Sequence, residues 1–105
     1  MYWAALAVAM TIPPGAQSIV DAAIADVARR EAIEAQVVEV ERVTWRDGSL
    51  GCPRKGMMYT QALVPGWRIV LASGSRSFEY HSSLRGPPFA CAPGLAQKPL
   101  PGPPK

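Results

Sequence analysis

Residues 67–81 read WRIVLASGSRSFEYH, and this stretch decides the fold. Trp67, Ile69 and Leu71 alternate with Arg68 and Val70, the period of a strand with one face on a core. Ala72–Arg76 is a Ser/Gly turn, and Ser77–His81 resumes the alternation with Phe78 and Tyr80 inward. Two such runs around a short turn make an antiparallel hairpin. Upstream, Gln36–Trp45 (QVVEVERVTW) is rich in β-branched residues and predicts one further strand. Its apolar positions change parity between Val40 and Val43, which predicts a bulge or a twist there.

One helix precedes the sheet. Val20, Ala23, Ile24, Val27 and Ala28 form an apolar stripe at helical spacing, while Asp21, Asp26, Arg29 and Arg30 lie off it. The spacing predicts a helix over 17–31, with Ser18-x-x-Asp21 as a capping-box-like start. The expected fold class is therefore α+β: one N-terminal helix packed on an antiparallel sheet of about three strands, with a long Gly-rich loop.

The 105 residues suffice for one domain. Roughly 75–80 of them belong to a folded unit, a size at which a single core is marginal. We expect residues 1–16 to be an apolar signal or anchor remnant, 17–92 the domain and 93–105 a Pro-rich disordered tail. The run Met1–Ile12 has the length of a signal-peptide apolar region but no basic residues before it. Its alternative is a buried strand or helix of the domain. It is too short to span a bilayer, which takes about 20 residues, so no membrane span is expected beyond a possible N-terminal anchor. In the tail, Lys98-x-x-Pro101-x-x-Pro104 fits a polyproline II ligand pattern, but an unstructured end is the simpler reading.

Net charge is +3, split between an acidic half and a basic half. Residues 1–47 carry four basic and seven acidic side chains; residues 48–105 carry seven basic and one acidic. The basic residues are scattered and lack interleaved aromatics, so nucleic acid is not an expected partner. Cys52 and Cys91 are the two cysteines and form no C-x-x-C pair. In a secreted chain an even count points to one disulfide, Cys52–Cys91.

Between the first strand and the hairpin lies DGSLGCPRKGMMYTQ, residues 47–61. Asp47-Gly48 is a tight-turn signal, and Gly51, Gly56 and Gly66 permit positive φ. Arg54, Lys55, Met57, Met58 and Tyr59 are the candidate binding residues of this loop. Asp47, Gly48, Gly51 and His81 are its candidate supports. Met57, Met58, Tyr59 and Leu63 are expected either to fold back over the sheet or to face a partner.

The segment VTWRDGSLGCPRKGMMYTQALVPGWRIVL, followed by FEYH and a later cysteine, resembles a family of small exported bacterial proteins of actinobacterial type. The family's pattern is V-T-W-x-D-G-S-L-G-C-P-x-x-G-M-x-Y-T-Q-A-x-x-P-G-Y-x-I-x-L, then Y-x-Y-H, after a helix similar to Ala25–Arg29. The resemblance covers roughly residues 20–91. It implies a small secreted or envelope-associated domain and no established activity. Arg54 and Lys55 depart from it, standing where the pattern has an uncharged residue and proline, and Trp67 replaces tyrosine.

Three functions are compatible with these residues. The leading one is a non-catalytic binding or structural module without cofactor, its partner (a protein among the possibilities) unknown. The second is a serine-protease inhibitor that presents Arg54 or Lys55 on the Cys52–Lys55 loop. The third is a thiol enzyme with Cys52 as nucleophile and His81, the single histidine, as base. No third group to orient the imidazole is evident, and the expected catalytic set is empty. The spacing of Cys52, His81 and Cys91 is unlike zinc-ligand pairs, so no metal is expected.

Overall fold

The computed structural model describes residues 12–92 and 94–101. The order of elements is α1 (Gln17–Glu31), β1 (Gln36–Trp45), β2 (Val64–Ser73), β3 (Arg76–Ser83) and β4 (Phe89–Ala90). The strands form one antiparallel sheet in sequence order, β1-β2-β3-β4. The α+β architecture is as expected, with four strands rather than about three. The two-residue β4 pairs through Tyr80↔Ala90 and His81↔Phe89 and is too short to leave a period-2 signal.

α1 covers one face of the sheet. Its buried residues Ile19, Val20, Ala23 and Val27 meet Trp67, Ile69 and Leu71 of β2 and Tyr80 of β3. Ile69 and Leu71 are wholly buried, each stabilising the fold by about 1.5–3 kcal/mol relative to an exposed side chain. The Tyr80 hydroxyl donates to Asp26 of α1 at 2.6 Å, tying helix to sheet. Burial, reinforced by the Asp26 carboxylate, pushes the Tyr80 phenol well above its ordinary value.

Two local readings are corrected. The helix starts at Gln17 with Ala16 as N-cap, which has no side chain to cap it. Ser18 therefore lies inside the first turn, and Asp21 accepts from Gln17 Nε2 at 2.8 Å instead of closing a capping box. The register shift in β1 falls between Val37 and Glu39, not between Val40 and Val43. The parity change has another cause: both faces of the sheet are covered. Val40 packs toward α1, whereas Trp45 stacks on His81 beneath the loop of residues 46–63.

Residues 94–101, which composition assigns to a disordered tail, run back along the sheet. Gln97 N donates to Gly51 O at 2.8 Å and Leu100 N to Thr44 O at 3.0 Å. Residues 102–105, and Met1–Thr11 of the apolar run, lie outside the described residues. Among the described residues no helix is long and apolar enough to cross a membrane.

Candidate functional site

The site forms on the sheet face opposite α1. The hairpin register sets Arg68 opposite His81, and Glu79 lies two residues from His81 on the same face. Arg68 donates to Glu79 through Nε at 3.0 Å and reaches Glu39 at 3.2 Å and Glu41 at 3.5 Å. Three carboxylates thus surround one guanidinium, leaving negative charge for a second cation. His81 occupies that place. It is fully buried, its Nε2 lies 2.5 Å from Glu79 Oε2, and its Nδ1 lies 2.6 Å from Leu50 O.

A carboxylate and a carbonyl oxygen both accept. Acceptors on both ring nitrogens are satisfied together only by the imidazolium. Burial raises the Glu79 carboxyl, but hydrogen bonds from His81 and Arg68, with their charges, outweigh it and hold Glu79 below its ordinary value. The Trp45 ring stacks on His81 at 4.1 Å between centroids and 26° between planes. Trp45 Nε1 donates to Ser82 O at 3.0 Å, fixing the indole across Gly66.

The Gly-rich loop brings Cys52 to this histidine. Asp47 accepts from the Ser49 amide at 2.8 Å and the Ser49 hydroxyl at 2.6 Å. These bonds hold the Asp47 carboxyl below its usual range. Gly48 N donates to Thr60 O at 2.8 Å and closes the base of the loop. Leu50 and Gly51 follow with φ of 54° and 75°. A Cβ on Gly51 would lie 2.6 Å from the Trp45 ring and 2.9 Å from Gln97 O, so glycine is required by space as well as by dihedral. Gly66 is different: it is a strand residue at ordinary φ, and the expectation of a left-handed backbone there is replaced by one of close approach to Ser82.

Cys52 is bonded to Cys91, with Cα atoms 5.3 Å apart, and its Sγ lies 3.0 Å from His81 Nδ1. The disulfide, His81 and the supports Asp47, Gly48 and Gly51 therefore converge. Glu79, Arg68 and Trp45 are the members that sequence reasoning missed. The absence of a group to orient the imidazole is corrected, because Glu79 orients it. The hairpin register carried that signal, since a Glu at i−2 and an Arg directly across must share the His81 face. Cys52, His81 and Cys91 have their donor atoms within 4.8 Å of one another. With both sulfurs joined to each other and both ring nitrogens of His81 directed at acceptors, the trio offers a metal no free donor.

The loop's tip forms the rim of a cavity of about 930 Å³ whose lining includes both cysteines. Arg54, Lys55 and Arg76 bring positive charge to it, and Phe78, Phe89 and Leu95 supply apolar wall. Arg76 is paired with Glu31 at 2.7 Å. Among the described residues no carboxylate pairs with Arg54 or Lys55. Tyr59 shapes the tip: its hydroxyl accepts from Arg54 N at 2.9 Å, while Met57 N closes a turn onto Arg54 O at 3.1 Å. Met57 and Met58 do not fold back over the sheet. They are 58% and 95% exposed, and Leu63 is 62% exposed.

No curated protein and no solved structure matches the chain. One family model does, over residues 19–91, a span that takes in all but the first two residues of α1, the loop, the hairpin and both cysteines. On that match the chain belongs to the family described as Domain of unknown function (DUF8738).

Proposed function

We propose that this domain is a non-catalytic binding module, exported to an oxidising compartment, whose cavity takes an acidic segment of a protein partner carrying an apolar side chain. The observation that carries the reading is the pair Arg54 and Lys55, exposed at a cavity rim without carboxylate partners among the described residues, in a cavity whose apolar wall is Phe78, Phe89 and Leu95. Such a site offers two cations for carboxylates and a sheltered surface for an aromatic or aliphatic group. The Cys52–Cys91 disulfide fits export, as does the resemblance to exported bacterial proteins. The protease-inhibitor reading has less support, because Arg54 sits in a closed turn rather than the extended backbone a protease cleft takes.

The test is an NMR titration with two short peptides, acetyl-Phe-Glu-Glu-amide and its control acetyl-Phe-Lys-Lys-amide. The acidic peptide is expected to shift the amides of Arg54, Lys55, Ala90 and Gly94, and Arg54→Ala with Lys55→Ala to weaken it at least tenfold. Equal shifts from the basic peptide, or shifts confined to other surfaces, would overturn the reading.

A further inference from the structure

A disulfide that only staples a fold needs no charged partner, yet the Cys52 sulfur lies 3.0 Å from a ring nitrogen of a fully buried histidine. That histidine is held by Glu79 on one side and Leu50 O on the other and is stacked on the Trp45 ring. The two sulfurs differ in access. Cys52 is 8% exposed and sits against His81, whereas Cys91 is partly exposed; both border the cavity.

We propose that Cys52–Cys91 is an exchange-active redox couple, reduced by an external dithiol that attacks Cys91 and expels Cys52 as a thiolate onto His81. In the first step the dithiol's thiolate forms a bond to Cys91 Sγ. The Cys52–Cys91 bond breaks, and Cys52 Sγ leaves with the electron pair. Its negative charge is stabilised by the Nδ1 proton of the imidazolium, which Cys52 shares with Leu50 O; this lowers the basicity of the leaving thiol and speeds its departure. In the second step the dithiol's other sulfur, deprotonated, attacks the mixed disulfide and releases Cys91 as a thiolate, which takes up a proton. The dithiol ends as a disulfide, and the protein gains two electrons and one proton, the one on Cys91; the dithiol's second proton goes to solvent, because the proton between Cys52 and His81 is already carried by the imidazolium.

The direction of attack follows from the geometry. Attack at Cys52 would expel Cys91, which has no comparable donor at its sulfur among the described residues. Charged groups around the couple reinforce a Cys52 thiolate. Arg54 and Lys55 follow it directly in the chain, and Arg76 and Arg30 border the same cavity. Opposed to them are Glu31, paired with Arg76, and Glu79, Glu39 and Glu41, which share Arg68 and His81. The inference does not depend on the cavity's ligand, and either can fail without the other.

Two measurements test it. The first is the rate of reduction of the intact chain by dithiothreitol at pH 7, for wild type, His81→Gln and Glu79→Gln. The expected result is at least a tenfold slower reduction for His81→Gln, and an intermediate rate for Glu79→Gln, which keeps a hydrogen-bonding side chain but loses the charge. The second uses Cys91→Ser, in which Cys52 is free and His81 is native, and follows thiolate absorbance at 240 nm against pH. A midpoint at least one pH unit below the ordinary thiol value of about 8.5 is expected. Rates within twofold of wild type in variants that keep their circular dichroism overturn the proposal. So does an ordinary thiol midpoint in Cys91→Ser, a result that decides the matter even if His81→Gln does not fold.

Discussion

Gly66→Ala is expected to destabilise the domain by about 3 kcal/mol. A Cβ at this position would lie 1.9 Å from Ser82 O and 2.9 Å from Trp45 Nε1, where real Cβ contacts essentially never fall below 3.0 Å. Those two atoms are donor and acceptor of a single buried hydrogen bond, so the methyl group strikes both at once. Relief requires β3 to move by about 1 Å or the indole to leave. An indole N–H left buried and unpaired costs about 1–3 kcal/mol. Overpacking at a strand pair costs about 1–3 kcal/mol more. Against this, alanine stiffens the unfolded chain and returns about 0.4–1 kcal/mol. The assay is urea unfolding followed by tryptophan fluorescence. With a slope near 1.5 kcal/mol/M, the midpoint should fall by about 2 M. Gly56→Ala is the control, since its Cβ would meet nothing within 4 Å and it carries only left-handed strain of about 1–2 kcal/mol. A loss below 1 kcal/mol for Gly66→Ala, at unchanged slope, would refute the claim that the Trp45–Ser82 bond closes tightly over Gly66.

Three further outcomes are expected. Replacing Cys52 and Cys91 together by alanine frees a loop spanning a sequence separation of 39, and chain entropy puts the loss at about 4 kcal/mol; a calorimetric loss under 1 kcal/mol would contradict it. Glu79 is held below its ordinary value in the folded state, so its stabilisation is present above the unfolded value of about 4.3 and is lost as pH falls through that value and below. The gap in melting temperature between wild type and Glu79→Gln should therefore shrink from pH 7 to pH 3, and a constant gap would rule this out. Arg68→Met leaves Glu39, Glu41 and Glu79 without their shared cation. It should cost about 2–4 kcal/mol, with the loss smaller at pH 4 than at pH 7; equal losses at the two pH values would contradict the charge cluster.

The elements of this fold were legible because each rests on a local period. The stripe Val20, Ala23, Val27 and the alternation of Trp67, Ile69, Leu71 with Phe78, Tyr80 set the helix, the hairpin and its apolar face without reference to the rest of the chain. The helix bounds were legible, but the capping box at Ser18 and Asp21 does not form, because the N-cap position falls at Ala16, a fully buried residue with no polar side chain. The parity change at Val40–Val43 was visible, but its cause was not: an alternating pattern cannot say that a distant loop covers the second face. The Met57–Met58 pair reads as core by composition alone and is left outside because the loop's turns at Asp47 and Arg54 bind its backbone elsewhere.

By itself the sequence determined the helix, the hairpin, the loop's turn residues and the availability of one cysteine pair. Only the tertiary structure decided that Cys52 meets His81, that Glu79 holds that imidazole, and that Arg54 and Lys55 edge a cavity. The physical reason is sequence distance. Periodicity and turn chemistry act over a few residues, whereas the contact of Cys52 with His81 spans 29 positions, set by strand register and by a loop path that no local pattern encodes.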